Sequence, residues 1–313
     1  MRDLFFSIKD YIQCNFSSRT YIPILIWIAV LVSFNYYLDF EDSYIDVLPL
    51  FSRIGAFTLF QGLAFIVPVL IISVTSDRKS FLSSREFWFK FIVAFIILGV
   101  YRGFSFRTDF CSWLDSNDCF FLYKVLRRVV KVCLVIVCIL PFYYFFDREK
   151  SQGFYGISLQ KKSIEPYLYM LLGMAVILFG ASFIDSVSEY YPMYKRSGGH
   201  LFATRNNIAE HWVILMFEIP YGFGFIAVEL FFRGFLIFSF SRLLGEHVVL
   251  PMATVYAVLH FGKPLPETLS SVLGGYILGI VALRTKNING GIVVHAGVAL
   301  MMELFAFMQI YFQ

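Results

Sequence analysis

The sequence predicts an all-helical membrane protein, a polytopic transmembrane bundle of about eight spans. Two observations of composition carry this. Hydrophobic residues make up 58% of the chain and charged residues 15%, against roughly 45–50% and about 25% in soluble domains. Mean hydropathy is +0.71. A third observation is the recurrence of apolar runs near the length of about 20 residues that a helix needs to cross a bilayer. The 313 residues would fit two soluble domains, but no long polar linker divides them and no internal repeat is visible. The expected organisation is N-terminal transmembrane helices and loops over 1–166, followed by a core carrying the polar residues over 167–313.

The runs, in order, are Tyr21–Leu38, Ile54–Val74, Phe87–Gly103, Phe120–Phe146, Tyr167–Ile184, His211–Leu244, Val248–His260, Leu269–Leu283 and Gly291–Phe312. The fourth begins with Lys124, Arg127, Arg128 and Lys131, so its membrane part is expected after Lys131. The sixth is long for one crossing and is expected to open with an interfacial turn near Pro220–Gly224. Phe154–Lys162 reads as a short amphipathic, turn-rich linker because of Gly153, Gly156 and Ser158. No cleavable signal peptide is expected, since the run from Tyr21 lacks a small-residue cleavage site.

The net charge of +4 is small and gives no reason to expect a nucleic-acid partner. Its distribution sets orientation. Arg2, Lys9 and Arg19 precede the first run, and the next loop, EDSYIDVLP, is acidic. Basic loops follow the second and fourth runs. The alternation places the N-terminus in the cytoplasm, with the acidic loop and the CSWLDSNDC loop outside. Cys111 and Cys119 flank that second loop, so a disulfide is open to them if it meets an oxidising compartment; two free thiols are the alternative. Cys133 and Cys138 lie in an apolar run and read as packing residues.

Four polar residues stand out in the most apolar third: Glu229 and Arg233 in AVELFFRGF, His260 in YAVLHFGKP, and His295 in GGIVVHAGVA. A charge at the bilayer centre costs several kcal/mol, so such residues need partners, water or a use. Glu229 and Arg233 are four apart and share a helix face, which suits an ion pair. Taken alone, that pair reads as structural, and each histidine as a satisfied core residue. Together, a carboxylate and two imidazoles on three spans can activate water and stabilise an oxyanion. The same three could also hold zinc. Glu267 is expected to cap the start of the next helix, where the dipole favours an acid.

ELFFRG, YAVLH and HAGVA, in this order, resemble the CPBP family, the CAAX-protease and bacteriocin-processing (Abi-type) intramembrane proteases. The resemblance covers roughly Phe217 to Phe307. It implies a CPBP-like core in the C-terminal half, hydrolysis of a membrane-associated peptide or protein, no obligatory cofactor, and membrane lipid and the peptide as partners. It also implies a bacterial cytoplasmic membrane location. Its pattern is EExxxR, an aromatic residue with His four further on, and Hxxx followed by Asn or Asp. The chain matches at Glu229, Arg233, Tyr256, His260 and His295 and departs at Val228, where the first glutamate is expected, and at Ala299. The implied catalytic set is therefore Glu229, His260 and His295, supported by Arg233 and Tyr256. Either Glu229 serves as the base, or Glu218 or Glu303 reaches the site, or proteolysis is lost and the scaffold kept. A scaffold or chaperone for a membrane partner and a small transporter with a Glu/His relay stand as the alternatives. On the expected topology, His260 lies about 20 Å and His295 about 8 Å from the cytoplasmic helix ends, so their meeting needs tilted helices or a re-entrant Phe261–Pro266.

Overall fold

The computed structural model describes residues 2–76, 80–106, 108–148, 153–158 and 164–312. They form α1 (Arg2–Asn15), α2 (Ser18–Leu38), α3 (Leu50–Thr75), α4 (Arg85–Gly103), α5 (Ser116–Phe142), α6 (Glu165–Ala181) and α7 (Asp185–Tyr190). There follow α8 (Gly199–Arg205), α9 (Glu210–Glu229), α10 (Ile237–Leu244), α11 (Val249–Val258), α12 (Leu265–Thr285) and α13 (Asn289–Phe312). No strand is present among the described residues. Of the Phe154–Lys162 linker, residues 159–162 lie outside the described set. Its first part does turn at left-handed Gly153, Tyr155 and Gly156.

Each apolar run named above lies mainly on a helix, with Tyr167–Ile184 running past the end of α6 and Val248–His260 past the end of α11. Among the described residues, six candidate spans are long and apolar enough to cross a membrane, or seven if α6 and the segment Asp185–Arg205, bent by 97°, are one broken span. The expectation of about eight differs for two physical reasons. One candidate, Glu210–Val258, holds 49 residues. As one rod it would reach about 73 Å, more than twice the hydrocarbon thickness of roughly 30 Å, so by length it holds two crossings. In addition, α4 is apolar but carries Arg85, Glu86, Lys90 and Arg102. The chain is an integral membrane protein.

The residues form two compact units, each assembled from separated segments. The first comprises Met1–Phe104, Cys138–Gln160 and Leu230–Asn289; the second comprises Ser105–Val137, Lys161–Glu229 and Gly290–Gln313.

In the first unit, α3 and α4 pack against one another through small residues. A Cβ at Gly99 would come within 2.8 Å of the Ile54 carbonyl, and one at Gly103 within 3.0 Å of the Ile54 backbone. Glycines four apart on one helix face let two backbones approach, which is how membrane helices gain dispersion contacts when lipid offers no hydrophobic drive. Arg53 uses the closeness, donating from Nε to the Gly103 carbonyl at 2.9 Å. Gly99→Leu is expected to push α4 away from α3 and cost about 1–3 kcal/mol through overpacking. A denaturation midpoint in detergent equal to wild type would show that the two helices are not in contact.

The same unit contains a buried ionic knot. Lys90 is 2% exposed and Asp147 3%. The Lys90 ammonium donates to Asp147 Oδ1 at 3.0 Å and to the Ser239 carbonyl at 3.0 Å, and pairs with Glu86 at 2.9 Å. Asp147 Oδ2 accepts from the Tyr155 hydroxyl at 2.8 Å and from the Ser239 hydroxyl. Each charge is thus paired and hydrogen-bonded, the condition for burying it. Burial and the Asp147 charge push the Tyr155 phenol above its ordinary pKa. Asp147 ends a π-helical turn, Tyr143–Asp147.

In the second unit, Phe121, Tyr194, Phe202, Val213 and Phe217 form an apolar core. Cys111 and Cys119 are joined as a disulfide, and Arg205 pairs with Asp115 beside that loop.

Candidate active site

Glu229 is the last residue of α9 and is fully buried. Its Oε1 lies 2.8 Å from Nδ1 of His295, which sits in the second turn of α13. A carboxylate accepts, so the imidazole Nδ1–H is the donor. The His295 ring also rests against Phe225, centroid to centroid 4.5 Å. Two glycines make room. A Cβ at Gly291 would come within 2.7 Å of Glu229 Oε2, and the site of a Cβ at Gly290 is filled by the Tyr167 ring. The carboxylate therefore lies beside the first turn of α13, where the helix dipole favours negative charge. This requirement for NGG was not read from the sequence. The signal was present in two adjacent glycines opening an apolar helix.

In the first unit, His260 follows α11 and is 6% exposed. Its Nδ1 lies 2.9 Å from the Tyr256 carbonyl. A carbonyl only accepts, so Nδ1 carries the proton. The His260 and Tyr256 rings meet edge to face at 4.6 Å. Arg233 lies over the same Tyr256 ring, 4.0 Å from its centroid, a cation–π contact that suits a guanidinium in apolar surroundings. Arg233 belongs to a π-helical stretch, Leu230–Leu236, that follows α9 directly.

The turn after His260 is held from several sides. Gly262 takes φ +77°, and a Cβ there would come within 3.3 Å of Asp42. Thr268 donates to the His260 carbonyl at 2.8 Å, and the Tyr36 hydroxyl donates to the Lys263 carbonyl at 2.6 Å. Glu267 lies in the first turn of α12, as expected for a dipole cap, and also pairs with Lys263 at 2.6 Å. Asp42 itself is held above the ordinary carboxylate pKa by burial and by Asp39 and Asp46. With Glu41 and Asp46 it forms a carboxylate group whose oxygens lie within 4.8 Å of one another.

The two departures from the motif, Val228 and Ala299, are both buried. Ala299 packs with Tyr221 and Phe225, so the position where the family pattern has a polar amide or acid is filled by aromatic contact. Glu303 is buried on α13 and its Oε1 accepts from the backbone N–H of Met193 at 2.8 Å.

Thus Glu229 and His295 are brought together in one unit, and Arg233, Tyr256 and His260 in the other. Residues 210–301 match the family described as Type II CAAX prenyl endopeptidase Rce1-like. The match spans under a third of the chain and includes Glu229, Arg233, Tyr256, His260, His295 and Ala299. A search of curated proteins and a search of solved structures each returned no match.

Proposed function

Starting from a chain whose residues 210–301 form an Rce1-like domain of the CAAX prenyl endopeptidase (CPBP) family, we propose that the protein is an intramembrane endopeptidase. Its substrate is a membrane-associated peptide or protein. The observation that carries the reading is the 2.8 Å hydrogen bond between buried Glu229 and His295. A carboxylate that fixes an imidazole tautomer and supports its protonated form is the arrangement general-base catalysis needs.

The proposed catalytic set is Glu229, His260 and His295. Water loses a proton to an imidazole Nε2 as its oxygen attacks the peptide carbonyl. The resulting oxyanion is stabilised by the Nε2–H of a protonated imidazole, the charge that Glu229 supports in His295. Collapse returns the proton to the departing amine, leaving a carboxylate and an amine as products. Arg233 and Tyr256 act by holding His260 in place. The reading uses no cofactor; a zinc ion on the same three residues is the less favoured form, and a chelator that abolishes cleavage would select it. The proposed location is a bacterial cytoplasmic membrane with the N-terminus in the cytoplasm. The Cys111–Cys119 disulfide supports an outside position for that loop, since disulfides persist in oxidising compartments.

A second reading, a non-catalytic scaffold or chaperone for a membrane partner, is favoured by the apolar packing around Ala299. Val228→Glu separates the two. The purified chain is presented with a panel of membrane peptides, with product release read by mass spectrometry. Cleavage by wild type, lost in His260→Ala, supports the protease. A higher rate in Val228→Glu shows a competent site that lacks its usual acid. No product from either form supports the scaffold.

A further inference from the structure

The first half of α5 carries four cations in one stretch, and neither the family match nor the mechanism uses them. Lys124, Arg127, Arg128 and Lys131 fall at i, i+3, i+4 and i+7, so they share one helix face. All four are half-buried. Arg128 is taken up by the protein: its guanidinium lies over the rings of Phe217 and Tyr221 of α9, at 4.3 and 4.4 Å. Lys124 and Arg127 are placed differently. The charges that act on Lys124 are those of Arg127 and Arg128, and its ammonium lies 4.9 Å from the centroid of the Phe120 ring. The Arg127 Nε–H is buried, and among the described residues nothing accepts from it. Among the same residues, no acid pairs with either cation.

Where these cations sit on the span decides what they meet. The candidate span Ser116–Asp147 holds 32 residues, about 48 Å as a helix, against roughly 30 Å of hydrocarbon. Asp147 and Arg148 close its far end. Counted back from there, roughly 30 Å of helix ends near Arg127. Lys124 and Arg127 therefore stand at the level of the lipid headgroups, where phosphate oxygens are the nearest acceptors. Deeper along the same side of the helix the chemistry changes. Val130, Leu134 and Val137 follow Arg127 at i+3, i+7 and i+10, and Val137 is 66% exposed. Cations above an apolar track match an amphiphile, an anionic head on a hydrocarbon tail, better than a soluble anion. Two like charges one turn apart repel one another. An anion relieves that repulsion, whereas a headgroup with its own ammonium adds to it.

We propose that Lys124 and Arg127 bind the phosphate of an anionic phospholipid, one with no ammonium in its headgroup, and that an acyl chain of that lipid lies along Val130, Leu134 and Val137. An arginine offers a planar fork of N–H donors that matches two phosphate oxygens, and a lysine one turn away adds a compact charge. Basic pockets on membrane helices recognise lipid headgroups in this way. The site lies within the second compact unit, and it holds whether or not Glu229 and His295 cleave a peptide.

The test uses the full chain, freed of lipid in detergent, with phosphatidylglycerol, phosphatidylcholine and diacylglycerol of the same acyl chains. Binding is read by native mass spectrometry. Phosphatidylglycerol is expected to bind roughly tenfold or more tightly than phosphatidylcholine, as for two basic residues acting on one anionic lipid. Diacylglycerol should bind most weakly. Lys124→Gln with Arg127→Gln should remove the preference. Lys9→Gln with Arg19→Gln, which loses the same charge at exposed positions, should keep it. Equal binding of the two phospholipids by wild type overturns the proposal, and so does a preference that survives in the Lys124→Gln and Arg127→Gln variant. Phosphatidylglycerol with a photoreactive group in its acyl chain then locates the lipid on unaltered protein, so this result stands even where a variant fails to fold. Crosslinks at residues 130–137 support the site, and crosslinks confined to other helices overturn it. Displacement of the lipid by an equal concentration of glycerol phosphate overturns it in favour of a soluble phosphate. Displacement by a soluble acidic peptide overturns it in favour of a protein partner.

Discussion

Glu229→Gln is expected to lower peptide cleavage by about 10²–10⁴-fold, the usual worth of a general acid–base group. The substitution is chosen for what it preserves. Glutamine is isosteric, and its amide oxygen still accepts from His295 Nδ1, so the 2.8 Å contact can persist. What is lost is the negative charge that supports a protonated imidazole. His295→Ala should cost a comparable factor, because one lost donor to an oxyanion is worth about 10²–10³-fold. The two losses should not add in the double variant, since residues acting as a unit are strongly non-additive. A Glu229→Gln enzyme within a factor of about two of wild type, with unchanged folded yield, would assign Glu229 a packing role and break the proposed mechanism.

Lys90→Met is expected to be among the most destabilising single changes in the first unit. It removes one partner of a buried pair and leaves Asp147 inside, a loss of roughly 3–5 kcal/mol. Tyr155 and Ser239 still donate to Oδ2 of Asp147, which softens the loss without supplying a positive charge. The companion experiment is Lys90→Met with Asp147→Leu. Replacing both charges with apolar groups of similar volume is often neutral, so the double variant should recover most of the stability. Unfolding midpoints in mixed detergent read both effects. A double variant no better than Lys90→Met alone would show that the knot is held by its hydroxyl groups and not by its charges.

The architecture was legible where it depends on local composition. The apolar runs located the helices, and ELFFRG, YAVLH and HAGVA marked the segment that matches the family. His260 and His295 stood out because imidazoles are rare in such surroundings. The rest depends on relations that local pattern does not carry. Lys90 and Asp147 are 57 residues apart, so no local pattern joins them. Glu303 meets Met193 across 110 residues of sequence. The π-helical stretch Leu230–Leu236 was also invisible, since a reading at helical period assumes the ordinary turn. So was the assembly of each compact unit from three separated segments. A division drawn along the chain can only make contiguous pieces.

The pair of glycines that opens α13 has a consequence for how this centre can be lost. Nothing reactive resides at Gly290 or Gly291; their contribution is two absent methyl groups, filled by the Tyr167 ring and by the Glu229 carboxylate. A glycine codon becomes an alanine codon by a single base change. Such a change at 291 would leave every acid and imidazole in place and still displace the carboxylate. Two chains could then carry identical reactive residues and differ in whether the centre can assemble. Relatives sorted only by the presence of Glu229 and His295 would mix the two kinds, and the residue at 291 is the mark that separates them.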